Sequence, residues 1–153
     1  MHKIEQSQQL PISIDTLWKF FLDPENLKKI TPLDLSFQIK SGASASMYAG
    51  MIVIYSMKPF MGIPITWVME ITHVEEKKLF IDEQRDGPCS FWHHQHHFKT
   101  ISNGVEMTDI LHYKLPLGIL GKLFNHLVVK SQMRNLFQYR NEKMQELFGT
   151  YEG

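Results

Sequence analysis

The sequence predicts an α+β fold: a curved antiparallel sheet of about six or seven strands around one long C-terminal helix, with two short helices after the first strand. Three observations carry this expectation. Apolar residues recur with a period near two from about residue 35 to 115. Beyond Pro116 and Gly118 the period lengthens to about 3.6. Two helix-start signatures, Ser13 and Asp23-Pro24, follow closely on the first extended segment.

Taken in order, Lys3, Ile4, Glu5 and Gln6 belong to a short strand within 3–10. Ser13 caps a helix with Leu17, Phe20 and Phe21 on one side. Asp23 caps the next, Pro24 suits its first position, and Leu27 and Ile30 form its buried side. Thr31-Pro32 ends it, because a residue before proline avoids the α region. Leu35, Phe37 and Ile39 then alternate with Ser36 and Gln38, and the small residues of 41–46 read as a turn. Further strands are expected at 51–57, 65–74, 79–85, 90–101 and 105–115. Glu75-Glu76-Lys77-Lys78, Asp86-Gly87-Pro88 and Ser102-Asn103-Gly104 separate the last four, with Asn-Gly suited to positive φ. In the final helix Ile119, Leu120, Leu123, Phe124, Leu127 and Val128 start an apolar stripe. Met133, Leu136, Phe137, Met144, Leu147 and Phe148 resume it. About 30 residues at 1.5 Å rise give roughly 45 Å, enough to cross the sheet. A single helix covers a curved sheet incompletely, so a cavity is expected on the concave side.

Composition narrows the function. A length of 153 residues suits a single domain, 1–153, with a sizeable core. Sixteen basic and sixteen acidic side chains cancel, leaving no broad positive field for nucleic acid or an anionic membrane. Cys89 is the one cysteine, which excludes an internal disulfide and fits a reducing compartment. The N-terminal residues lack a signal-peptide core, and no run approaches the roughly 20 apolar residues of a membrane span. A cytoplasmic protein without stable membrane insertion is expected.

The segment Phe91-Trp-His-His-Gln-His-His-Phe98 is the most informative. Period two puts Trp92, His94, His96 and Phe98 on one face and Phe91, His93, Gln95 and His97 on the other. Two imidazoles between large aromatics describe a buried wall, and buried polar groups need partners. Extending the inward set adds Trp67 and Met69, then Met107, Asp109, Leu111 and Tyr113. Consecutive hairpins are neighbours, so Asp109 is expected across from His94 or His96. Such a pair either prepares a general acid/base or satisfies a buried imidazole and fixes strand register; the second role takes precedence. His-x-His with a carboxylate also loosely matches a metal triad, but the four histidines divide between two faces, and no metal or other cofactor is expected. Asp82 shares a face with Gln84, and Glu83 with Arg85; periodicity does not decide which pair points inward. Arg140 interrupts the helical stripe, which calls for a carboxylate partner (Asp82, Glu83 or Asp109) or, less favoured, a ligand anion. Ser131 is expected at a gap, Cys89 is expected to be inert, and Met57–Pro64 reads as an apolar loop able to act as a lid.

Several segments in this order carry a family resemblance: D-P-E-N-L-K-K-I-T-P at 23–32, I-P-I-T-W at 63–67, F-I-D-E-Q-R-D-G-P at 80–88, W-H-H-Q-H-H-F at 92–98, D-I-L-H-Y-K-L-P-L-G at 109–118 and L-F-Q-Y-R at 136–140. The chain resembles the START-like (SRPBCC) superfamily, the helix-grip fold of polyketide cyclases and Bet v 1, and within it a small bacterial ligand-binding group. The resemblance implies a deep hydrophobic cavity between sheet and long helix, and no single activity. It departs from the usual pattern in the 43–49 turn and in Cys89, where an aromatic commonly follows Gly-Pro. The leading expectation is binding of a small hydrophobic molecule: a lipid, an isoprenoid quinone or a polyketide-like aromatic. The ligand set would be Trp67, Met69, Trp92, His94, His96, Phe98, Met107, Asp109, Leu111, Tyr113 and Arg140. An aromatase/cyclase- or dehydratase-type enzyme using Asp109 with His94 or His96 is the alternative. A protein-interaction module is the third reading.

Overall fold

The backbone forms a strand in each segment where one is expected from residue 51 onward. The computed structural model describes residues 1–42, 46–60, 62–116, 118 and 128–153. Among these, the strands are β1 (His2–Leu10), β2 (Gln38–Ser41), β3 (Met51–Phe60), β4 (Ile63–Glu75), β5 (Leu79–Asp86), β6 (Phe91–Ile101) and β7 (Gly104–Lys114). They form one curved antiparallel sheet in the order β1-β7-β6-β5-β4-β3-β2, so hairpins run from β2 to β7 and β1 closes on β7. Helix α1 spans Ile14–Leu22, a 3-10 helix spans Pro24–Ile30, and α2 spans Lys130–Phe148. None of the described helices is long and apolar enough to cross a membrane.

Both helix starts are built as their sequences require. Ser13 Oγ accepts from the Thr16 backbone N–H at 3.2 Å, and Asp23 Oδ1 from that of Glu25 at 3.0 Å. The buried side of α1 is Leu17, Trp18 and Phe21, with Phe20 only half-buried. Trp18 falls one position after Leu17 and three before Phe21, within a stripe wider than the one expected. Leu35 lies in a short 3-10 turn (Leu33–Leu35) instead of a strand. Ser36, at φ 47°, ends that turn, and β2 begins only at Gln38.

Among the described residues of 57–64, Met57–Phe60 and Ile63–Pro64 belong to strands and not to a loop. They complete the β3–β4 hairpin, turned at Gly62 (φ 71°). The pairing slips between Met57 and Phe60, where Pro59 has no N–H to contribute. The expected stripe positions 119, 120, 123, 124 and 127 lie outside the described residues. The 19 described residues of α2 correspond to roughly 28 Å. Phe137 and Met144 are its buried members, whereas Leu147 is 47% exposed because it lies beyond the sheet-facing side.

The core divides in two. One cluster joins α1 to the sheet through Leu17, Trp18, Phe21, Phe80, Phe98 and Met107, with Trp18 edge-on to Phe98 at 5.4 Å. A second gathers Leu111, Tyr113, Val129 and Phe137 under α2. At the β6–β7 turn, Asn103 takes the positive φ (58°), whereas Gly104 does not. Gly104 is needed for another reason: a Cβ there would sit 2.2 Å from the Leu10 carbonyl oxygen. Replacement Gly104→Ala should therefore part β1 from β7 and lower unfolding free energy by about 1–3 kcal/mol in urea titrations. An unchanged midpoint would refute this packing.

Candidate functional site

A cavity of about 520 Å³ lies between the concave sides of β3, β4, β5 and β6, the 3-10 helix and α2. Its body is apolar, with Met47, Val53, Met69, Ile71 and Met133 among the lining residues. The polar groups are few: Thr31, Tyr55, Trp67, Asp82, Cys89, Trp92, His94, His96, Gln132 and Arg140. A larger groove of about 890 Å³ runs along β1 and α2. Lys3, Glu5, Arg134, Gln138 and Glu142 make it a charged surface channel.

Of the expected ligand set, Trp67, Met69, Trp92, His94, His96 and Arg140 line the cavity. Phe98, Met107, Leu111, Asp109 and Tyr113 point to the same side of the sheet but are not part of this wall. Phe98 and Met107 are filled against α1, Leu111 and Tyr113 belong to the cluster under α2, and Asp109 is packed behind the histidines. The physical reason is the sheet's closure. Strands β1 and β7 are covered directly by helices, and the open space falls over β3–β6. Sequence reasoning missed Val53, Tyr55 and Met57, whose period-two spacing in 51–57 was available as a signal.

Four polar groups form a ring: Asp82, His94 and His96 on the wall and Asp109 behind it, all buried but Asp82, which is half-buried. The sheet pairs Asp82 with His94, and His96 with Asp109, so the second pairing matches the expected one. Asp82 and Gln84 are the inward pair of β5. Glu83 and Arg85 point outward, Glu83 to His93 at 2.7 Å and Arg85 to Glu70. Asp82 Oδ1 accepts from the Trp92 indole N–H at 3.1 Å, and Oδ2 lies 2.8 Å from His96 Nε2 and 3.7 Å from His94 Nδ1. On the far side, Asp109 Oδ1 is 2.7 Å from His96 Nδ1 and 3.0 Å from His94 Nε2. Both contacts are short yet off the N–H axis, so neither is an aligned hydrogen bond and the attraction is chiefly electrostatic.

Burial alone would raise both carboxyls, but the imidazoles beside them win and hold Asp82 and Asp109 below the usual carboxylate range. Burial, then the neighbouring His96, lowers His94 against the pull of the two carboxylates. For His96 burial also opposes the charge, yet Asp109 and Asp82 together raise its pKa.

Arg140 departs from expectation. It makes no ion pair with a carboxylate among the described residues, and its buried Nε has no hydrogen-bond partner. The guanidinium rests 5.8 Å from the Phe137 ring centre. The Trp67 indole N–H is likewise buried without an acceptor, its ring edge-on to Trp92 at 4.8 Å. Ser131 faces solvent, and Gln132 takes the place on the cavity wall instead.

Seven strands in this order, a short helical pair after the first, and a sheet-covering C-terminal helix define the Bet v 1-like helix-grip fold. Solved structures agree. TTHA0849 from Thermus thermophilus superposes with a TM-score of 0.71 at 17% identity, over 95% of this chain and 99% of that one. CV1439 from Chromobacterium violaceum gives 0.72 at 12% identity, over 97% and 98%. Major latex-like protein 151 from Panax ginseng gives 0.69 at 13%, over 96% and 97%. At such identities the likeness is one of fold. No protein-family model and no curated relative matches the chain.

Cys89 lines the cavity, and burial pushes its thiol up to about 11. A raised thiol pKa means the reactive thiolate is scarce at neutral pH. Iodoacetamide labelling at pH 8 should be much slower than that of a free cysteine and should accelerate steadily toward pH 10. Rapid labelling at pH 7 would contradict this half-buried placement on the cavity wall.

Proposed function

We propose that this chain is a START-like (SRPBCC) domain of the small bacterial ligand-binding group, acting in the cytoplasm as a single unit over 1–153. In this reading it binds a small hydrophobic molecule in the cavity under α2. The observation that carries it is the cavity itself: about 520 Å³ of largely apolar space, within the roughly 300–1,000 Å³ of small-molecule sites. Its few polar groups suit an occupant with an apolar body and oxygen acceptors at one end. The body would lie against Met47, Val53, Met69 and Met133. The oxygens would meet the Trp67 and Arg140 donors that lack partners. A lipid acid, an isoprenoid quinone and a polyketide-like aromatic all have this form. The enzyme alternative is less favoured because Asp109 has no face on the cavity.

Native mass spectrometry of gently purified protein, with displacement of a fluorescent apolar probe by quinones, fatty acids and polycyclic aromatics, tests the reading. Leu136 lines the cavity from α2, so Leu136→Trp should fill space and weaken probe binding by about tenfold or more while the fold is kept. Arg140→Met should weaken oxygen-bearing ligands by about fivefold or more and leave a hydrocarbon probe nearly unaffected. Absence of any binding tighter than millimolar across the panel would overturn the proposal.

A further inference from the structure

We infer that Asp82, His94 and His96 form a binding site for one divalent first-row transition-metal ion, open on its free side to the cavity. One donor atom from each of the three lies within 4.8 Å of the others. Ligands about 2.1 Å from a metal stand roughly 3.0–3.4 Å apart. The Asp82 Oδ2 distances to His96 Nε2 (2.8 Å) and His94 Nδ1 (3.7 Å) bracket that separation.

The arrangement is layered in the manner such sites require. Asp82, His94 and His96 are on the cavity wall, and Asp109 is not. The ring nitrogens that face away from Asp82 both converge on Asp109 Oδ1. The charge of a carboxylate behind two imidazoles favours the N–H on their far nitrogens and raises the donor strength of the near ones, the role of an outer shell. Asp82 is held in turn by the Trp92 indole N–H.

Charge gives an independent argument. Two carboxylates, Asp109 buried and Asp82 half-buried, stand within one cluster, and among the described residues no lysine or arginine forms an ion pair with either. His96, whose pKa the two carboxylates raise, offsets one of these charges when protonated and leaves the other; a divalent cation displacing that proton compensates both. Two nitrogens and one carboxylate oxygen select Zn²⁺, Fe²⁺ or Co²⁺ over Mg²⁺ or Ca²⁺. The sequence hid this because the third ligand comes from β5, and only the Asp82–His94 pairing brings it to the His-x-His face.

The test uses the full chain with His93→Gln, His97→Gln and His112→Gln, which remove the outer-face imidazoles of β6 and β7 as competing sites. Chelator-stripped protein is titrated calorimetrically with Zn²⁺, with Mg²⁺ as control. Saturable binding of one Zn²⁺ at micromolar strength or better is expected, as tight as in the unsubstituted protein. Asp82→Asn, which keeps an acceptor for Trp92, should abolish it. Asp109→Asn should weaken it about 10–100-fold. Should either variant fail to fold, Co²⁺ added to the unsubstituted protein decides by NMR. Paramagnetic shifts on the His94 and His96 ring protons support the site, and shifts confined to other histidines overturn it. No saturable Zn²⁺ binding, or equal affinity in Asp82→Asn, also overturns it. Neither failure bears on the apolar ligand, whose binding is measured separately.

Discussion

Much of this molecule depends on satisfying two carboxylates in an apolar wall. Asp82 and Asp109 sit on β5 and β7 with the histidines of β6 between them, so the ring crosses three adjacent strands. A one-residue slip of β6 would turn His94 and His96 outward and strand both carboxylates without partners. Apolar residues alone specify register loosely, since one buried methyl resembles another. Removing one partner of a buried charge leaves the other unpaired at a cost of about 3–5 kcal/mol. The ring therefore makes wrong pairings of β5, β6 and β7 expensive.

The same sheet explains why the cavity lies where it does. At one end Trp18, Phe21, Phe80 and Phe98 fill the space below α1 with interlocking rings. Toward β1 and β7, Phe137 and Met144 bring α2 down onto Leu111, Tyr113 and Met107. Two filled regions brace the sheet on either side. The span over β3–β6 then stays open without collapse, because its walls are held from outside it. Methionines there, Met47, Met51, Met57, Met69 and Met133, give a lining that can reshape around different occupants.

Alternation along 92–98 and 105–113 was readable in the sequence because each inward position is apolar or part of the ring, so burial follows period two through Tyr113. Helix starts were readable because Ser13 and Asp23 cap with their own side chains. What could not be read was which inward residues face empty space. Phe98 and Trp92 share a face and differ only in what other elements place over them, a fact of tertiary packing. Asp82 escaped for a related reason. Its strand, Leu79–Asp86, has polar residues at five successive positions, so period two offers no contrast between its faces. The outer pair is decided by partners: Glu83 by His93, and Arg85 by Glu70. Arg140 departs from the rule that a helical arginine in an apolar stripe finds a carboxylate, because Asp82 and Asp109 are already engaged by histidines.

The polar ring and the apolar cavity are not independent features. An apolar occupant displaces water from the wall, and with water gone the effective dielectric around Asp82, His94 and His96 falls. Attraction within the ring then strengthens, while any uncompensated charge on it becomes costlier. Occupancy and countercharge are thus linked thermodynamically: whatever neutralises the ring favours an apolar guest, and the guest favours neutralisation to the same degree. The Tyr55 hydroxyl stands in the same field. Burial, and then Asp82, raise its pKa so that it stays a neutral donor, whereas Arg140 pulls the other way. A guest with an oxygen-bearing end would lie within reach of this field, and its fit would be set as much by the charge state of the ring as by the shape of the hollow.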